Sequence, residues 1–287
     1  MPITLAVFAV ALVVAVLIFA ASSVRGLPDP IDPVGAERAV ARRLARHPRA
    51  RRFLRQRMDR RAAGGFALTV ALVVAFAAAL VVGLVLDMVD RRWGLAGWDD
   101  NVAQWGVTHA TSGTVSLLKV VTYFGETSVV VPAMLAAGVI DFLRHRRLDV
   151  FLFLGAVLGG EKLIANALKS IVNRARPDLA QLVPWDGPSF PSGHAAAAAM
   201  AWPAIALVLG RGLPRVARSL LAAAAGLIAA AVATSRALLG VHWLTDVIAG
   251  LVLGYGWFLC CAVVFGGRAQ RLGDPIEAAS VEPTGHR

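Results

Sequence analysis

The sequence predicts an all-α integral membrane protein, and three observations carry that prediction. Of its 287 residues, 57% are hydrophobic and 16% charged, whereas a soluble domain is near half apolar and about a quarter charged. Apolar runs of roughly 20 residues, long enough to cross a bilayer as helices, recur at 3–22, 66–86, 123–142, 150–168, 194–210, 219–239 and 244–266. The arginines fall between these runs in an alternating pattern, as they do in multi-pass proteins.

Taken in order, the first run has no basic residue before it and exceeds the 7–15 apolar residues of a cleaved signal. It is read as a retained transmembrane helix over 1–22. Residues 23–65 carry twelve arginines against four acids, a surplus of eight within a net charge of +11. Held between two spans, this charge reads as a cytoplasmic topology anchor and not a nucleic-acid arm. It also suits contact with anionic lipid head groups, at about 1 kcal/mol per well-placed arginine. Segments 36–46 and 51–61 could form short helices separated by Pro48, although their apolar face is thin.

Between the second and third runs, Trp93, Trp98 and Trp105 are expected to lie along the membrane interface as an aromatic belt, with a lid as the alternative. The third run has Glu126 and Asp141 near its ends, and the fourth contains adjacent Glu161 and Lys162. Neighbours on a helix diverge, so these two are expected to contact other helices. Cys260 and Cys261 diverge for the same reason and read as buried thiols, not a mutual disulfide. The polar tail, 267–287, is expected to be disordered.

Twenty-one of the 29 lysines and arginines fall in 23–65, the turns at 144–147 and 211–218, and the tail. Seven crossings with the N-terminus outside and the C-terminus inside place all four segments in the cytoplasm. The opposite face then receives three polar clusters: "KSIVNRARP" at 169–177, "PSGH" at 191–194 and "SRALLGVHWLTD" at 235–246.

Each cluster has a bland reading and a chemical one. Lys169 and Arg176, seven apart, would share a helical face that Pro177 ends; alone, they equally suit snorkelling cations. Arg174 has no assigned partner. Ser192 stands at an N-cap position, Gly193 permits close backbone approach and His194 opens the fifth span. A helix N-terminus suits an anion, phosphate above all, though an ordinary cap would look the same. His242 and Asp246 are four apart in the first turns of the last span, where the carboxylate would accept a hydrogen bond from one imidazole nitrogen and leave the other unprotonated and nucleophilic. Arg236 lies near the outer end of the sixth span. Such a pair in an apolar segment is costly unless used. Together these groups fit phosphoryl transfer through a phosphohistidine, with cations over the equatorial oxygens and a second histidine moving the proton. The scheme needs no metal or other cofactor, and no obvious carboxylate cluster is present to hold one.

With these segments in place, the chain resembles the type-2 phosphatidic acid phosphatase family, lipid phosphate phosphatases related to vanadium haloperoxidases. The family signature K-x6-R-P, P-S-G-H, S-R-x5-H-x3-D is matched by Lys169 to Arg176-Pro177, Pro191-Ser192-Gly193-His194, and Ser235-Arg236 to His242 and Asp246. The resemblance implies a six-helix phosphatase core over 66–266, with the N-terminal transmembrane helix as an addition. It implies His242 as nucleophile oriented by Asp246, and His194 as general acid and base. Lys169, Arg176, Ser192, Gly193 and Arg236 would bind phosphate. The expected activity is hydrolysis of a lipid phosphate or polyprenyl pyrophosphate at the extracytoplasmic face of a bacterial cell membrane. Phosphate transfer to an alcohol and lipid binding without cleavage are the alternatives. The sequence names neither the lipid nor the oligomeric state.

Overall fold

The computed structural model describes residues 3–23, 29, 31–33, 63–179 and 182–267. The expected short helices within 36–61 and the expected disorder of the tail lie outside these residues. Among the described residues, regular structure is entirely helical: α1 (Ile3–Ser23), α2 (Ala63–Arg91), a 3₁₀ turn (Gly94–Trp98), α3 (Asp99–Thr108), α4 (Ser112–Tyr123), α5 (Thr127–His145), α6 (Asp149–Val172), α7 (Gly193–Leu209), α8 (Arg215–Leu238) and α9 (Leu244–Val264). Six of these helices are long and apolar enough to cross a membrane. The fifth expected span, α7, has 17 residues, about 26 Å at 1.5 Å per residue.

Helix α7 is the centre of the bundle. Its run of alanines, Ala195–Ala199 and Ala201, is buried on every side. Side chains this small let neighbouring backbones come close, so packing contact replaces the side-chain bulk that a membrane core cannot use as a hydrophobic driving force. Helices α8 and α9 flank α7, and α5 and α6 close its remaining side. On the outside of α8, α1 buries Ile3, Val7, Ala11 and Ala15, a stripe recurring every fourth residue. Arg215 Nε fastens the far end of α1 by donating to the Ser22 carbonyl at 2.9 Å. Helix α2 lies on α9, where Cys260 Sγ donates to the Ala71 carbonyl at 3.3 Å. Cys260 and Cys261 are both free and buried.

The expected third span, 123–142, is displaced. Helix α4 runs to Tyr123, the chain turns, and α5 starts at Thr127. A Cβ on Gly125 would stand 2.5 Å from the His194 carbonyl oxygen, so this turn is pressed against the first turn of α7 in a way that an unbroken helix could not reach. The 3₁₀ turn, α3 and α4 fill a region that the sequence marked only by its tryptophans. Thr111 and Thr114 cap α4 reciprocally, each side chain accepting from the other's backbone N–H at 3.2 and 2.8 Å.

The two ends of the bundle differ. At the end where α5 joins α6 and α7 joins α8, Asp141 is buried and pairs with Arg211 at 2.7 Å and His145 at 2.9 Å. Arg147 pairs with Asp149 nearby. The three polar clusters lie at the other end. In mid-bundle, Glu161 is fully buried; neither of its oxygens has a hydrogen-bond partner among the described residues, and Lys162 Nζ stands 4.0 Å away. Glu161 is thus enclosed by the bundle, and its nearest cation is the adjacent Lys162, the mutual pair that the sequence reading did not favour.

Candidate active site

The first cluster departs from the expected helical face. Helix α6 ends at Val172 because Asn173 takes the left-handed conformation (φ 44°, ψ 42°), four residues before Pro177. Lys169 stays in the last helical turn, while Arg176 lies in an extended stretch that folds back. Arg176 is pinned by carbonyls: Nε donates to Gly187 at 2.9 Å, Nη2 to Asp186 at 2.9 Å and Pro188 at 3.3 Å, and Nη1 to Val241 at 2.7 Å. The Trp185 ring covers its guanidinium at 5.1 Å. Burial lowers the Arg176 pKa, and Asp246 partly offsets this.

The second cluster is stitched to the first and third. Ser189 N donates to the Arg174 carbonyl at 2.9 Å, Ser189 Oγ to the Ala175 carbonyl at 3.0 Å, and Ser192 N to the Asp246 carbonyl at 3.0 Å. Ser192 occupies the N-cap position of α7, but its hydroxyl makes no capping bond. That hydroxyl is buried with no partner among the described residues. A Cβ on Gly193 would come within 3.7 Å of Lys169 Nζ, so the glycine leaves the space in front of that ammonium open. His194 sits half-buried in the first turn of α7.

In the third cluster, Arg236 is only 6% exposed at the end of α8, and its Nε lacks a partner among the described residues. Ser235 Oγ turns back to the Val232 carbonyl at 2.7 Å. Gly240 (φ +68°) then reverses the chain, and a Cβ there would lie 2.6 Å from Val107 Cγ2. His242 comes in this turn, before α9 begins at Leu244, and not within the helix as expected. Its Nδ1 is 2.8 Å from the Ser189 carbonyl. A carbonyl only accepts, so Nδ1 carries the proton and the Nε2 lone pair faces Arg176 Nη1 at 3.2 Å.

The expected hydrogen bond from His242 to Asp246 is not made: Asp246 Oδ2 is 3.7 Å from Nδ1. The i, i+4 geometry needs both residues in one helix, and only Asp246 is helical. Asp246 is engaged elsewhere, accepting from Arg174 Nη1 at 2.7 Å and from Trp243 N at 2.9 Å. Arg174, unassigned from sequence, also donates to Thr245 Oγ1 at 2.7 Å and Asp99 Oδ2 at 2.8 Å, under the Trp243 ring at 5.3 Å. His242 is 2% exposed. Burial pushes its pKa down to about 4, with Asp246 opposing and Arg236 and Arg176 reinforcing the shift.

Lys169, Arg176, Gly193, His194, Arg236 and His242 line one cavity of about 680 Å³. Ser192 lies buried beneath its wall and Asp246 behind His242. Sequence reasoning left Lys119, Thr122, Tyr123 and Glu126 without roles, yet they line the same cavity. Trp93, Trp98 and Trp105 do not line it, and Trp105 stacks on His109 at 5.1 Å. The missed residues Asp99, Thr245 and Ser189 carried no spacing signal, because each acts through a partner distant in sequence.

The chain is similar in sequence and in fold to known proteins. Residues 150–269 match the sequence profile of the PAP2 superfamily. A crystal structure of a transmembrane PAP2-type phosphatidylglycerolphosphate phosphatase from Bacillus subtilis superimposes with a TM-score of 0.60 at 30% identity, covering 65% of this chain and 92% of that one. The chain belongs to the PAP2 superfamily. Among curated relatives, phosphatidylglycerophosphatase B of Bacillus subtilis is 38% identical over 47% of this chain and 66% of its own length. Decaprenylphosphoryl-5-phosphoribose phosphatase of Mycobacterium tuberculosis is 34% identical over 50% of this chain and 75% of its own length. The chain spans about half to two thirds of the length of the first curated relatives it matches.

Proposed function

We propose that this PAP2 protein is a membrane lipid phosphatase that hydrolyses a lipid phosphate monoester or a polyprenyl pyrophosphate through a phosphohistidine, without a metal. The observation that carries the reading is one cavity bordered by Lys169, Arg176, Arg236 and two imidazoles, with Lys119, Glu126 and Asp186 also in its lining and an unpartnered serine hydroxyl buried beside it. A phosphate dianion fits this chemistry: Lys169, Arg176 and Arg236 meet its oxygens, and the Ser192 hydroxyl and the α7 N-terminus complete the cradle. The relatives named above act on phosphorylated lipids, which supports a substrate of that class.

In the first step, Nε2 of His242 attacks phosphorus, and the Arg176 N–H that faces this lone pair turns its hydrogen bond to a phosphate oxygen, keeping its proton. The P–O bond to the lipid breaks as protonated His194 gives its proton to the departing oxygen. In the second step, water attacks phosphorus and its proton passes to His194. The P–N bond breaks, and its electron pair returns to Nε2. The site faces away from the cytoplasm, because the arginine-rich segments fall at the opposite ends of the helices. Within this reading, 66–266 is the catalytic unit, α1 an added anchor and 23–65 a cytoplasmic segment facing anionic head groups.

Purified protein in detergent should release inorganic phosphate from phosphatidic acid, phosphatidylglycerol phosphate or a polyprenyl pyrophosphate with chelator present, and His242→Ala should abolish release. Turnover by the alanine variant would overturn the mechanism. Partition between free phosphate and a phosphorylated acceptor alcohol separates hydrolysis from transfer.

A further inference from the structure

We propose that Thr122, Lys119 and Glu126 form a subsite for the alcohol part of the substrate. The alcohol it takes is a polyol, glycerol or sugar, with a free hydroxyl next to the scissile phosphate; this rests on the hydrolytic reading above and narrows its substrate class. Thr122 carries the observation. It lines the cavity, is 7% exposed, and its hydroxyl has no hydrogen-bond partner among the described residues. A helical threonine can return its hydroxyl to the carbonyl one turn back, as Thr108 and Thr234 both do at 2.8 Å. Thr122 does not. Lys119, one turn earlier on α4, lines the same wall and makes no ion pair among the described residues. Glu126 stands at the N-cap of α5, where its side chain makes no capping bond, and lines the cavity too. The wall is fixed from behind. Trp202 Nε1 donates to the Phe124 carbonyl at 2.8 Å, and a Cβ on Gly125 would stand 2.7 Å from Val232 Cγ1 as well as 2.5 Å from the His194 carbonyl oxygen.

This wall lies where the leaving group passes. His194 protonates the departing oxygen, and the α4–α5 turn is pressed on the backbone of His194, so the group bonded to that oxygen runs alongside Thr122. Lysine only donates, a carboxylate only accepts and a threonine hydroxyl does both. A substrate hydroxyl, itself donor and acceptor, answers all three. A hydrocarbon chain starting at that oxygen would leave the buried Thr122 hydroxyl unsatisfied. A second phosphate joined directly to the first would stand against Glu126. The charges agree: Lys119, Lys169, Arg176 and Arg236 share the lining with Glu126 and Asp186. With both imidazoles neutral, four cations against two carboxylates leave a surplus of two, which one phosphate dianion matches.

The test uses two substrates that differ by one hydroxyl, with the full chain in detergent: phosphatidylglycerol phosphate, and its analogue with propanediol in place of the terminal glycerol. Farnesylphosphoryl phosphoribose is the sugar arm; phosphatidic acid and farnesyl pyrophosphate are the arms without a free hydroxyl. The unsubstituted chain should favour the glycerol lipid over its deoxy analogue about 10-fold in kcat/KM, the worth of about one hydrogen bond. Thr122→Val, which keeps the shape, should lower kcat/KM on the glycerol lipid about 10-fold and leave the analogue and phosphatidic acid within about twofold. Lys119→Met and Glu126→Gln should narrow the preference by less. A matching loss on the sugar lipid supports a subsite for polyols in general, and a loss on one of the two assigns it to that alcohol. Equal losses on every lipid would make Thr122 a support of the fold or of the phosphate site and overturn the proposal. So would the absence of a preference in the unsubstituted chain, or a preference for farnesyl pyrophosphate that Lys119→Met removes. Should Thr122→Val not fold, the other two variants carry the same readout. If the unsubstituted chain cleaves none of the lipids, the hydrolytic reading fails. The dissociation constants of the glycerol lipid and its analogue for the His242→Ala chain, measured without turnover, then still decide the subsite by the same ratio of about 10.

Discussion

The two ends of the helix bundle handle buried charge in opposite ways. At the α5–α6 and α7–α8 turns, Asp141 is met by Arg211 and His145, and Arg147 by Asp149. At the cavity end, Lys169, Arg176 and Arg236 converge, and none of the three makes an ion pair among the described residues. Arg174, a few residues from Lys169 and Arg176, is fully neutralised by Asp99 and Asp246. Pairing was thus available at the cavity end and is withheld from the residues facing the cavity. Closed pairs fasten a fold; open cations of one sign, which repel each other in a partly desolvated space, mark a place for an anion.

This contrast can be broken by substitution at either end. Arg236→Ala should lower kcat/KM by about 10²–10³, as expected for removing one preorganised donor. It should leave the melting temperature in detergent unchanged or higher, because it relieves like-charge crowding. A clear fall in melting temperature with activity kept would turn the cavity end into another fastening. Asp141→Ala should do the reverse: about 3 kcal/mol of stability lost, because the buried Arg211 charge is stranded. Turnover per folded molecule should stay near that of the unsubstituted chain. Loss of turnover without loss of stability would mean that the far end communicates with the site.

The sequence carried the parts of the fold that depend on composition, because a helix must be apolar over its whole length to cross a bilayer. It carried the site residues as far as spacing could, and six of the eight reach one cavity. What it missed depends on tertiary contact. The local signal that ends α6, a left-handed Asn173, is weaker by residue type than Pro177 four residues later, so the helix stops earlier than the proline suggested. Nothing local breaks the third span at Gly125; the His194 carbonyl does. The i, i+4 spacing of His242 and Asp246 suggested a hydrogen bond only because both were placed in a helix that starts later. The Asp99–Arg174 pair joins residues 75 positions apart, and no periodicity connects them.

The smallest expected effect is on the protonation of His242. An ordinary histidine titrates near 6.5, whereas burial holds His242 at about 4. The sign follows from burial, which penalises the charged ring: between these values the folded chain has released a proton that the unfolded chain still holds. Folded-state stability from this group is therefore present at neutral pH and lost as pH falls through about 6.5 toward 4. The kinetic counterpart is that the ring stays neutral and able to attack throughout the mildly acidic range. Its protonation should limit kcat/KM only below about pH 5. The ¹⁵N resonances of His242 in the unsubstituted protein, followed without substrate, should show a midpoint near 4 with the proton on Nδ1 throughout. A midpoint at or above 6.5 would mean that Asp246 outweighs the burial that holds the ring neutral. In that case the paired and unpaired charges at the cavity end would divide differently from the way their distances indicate.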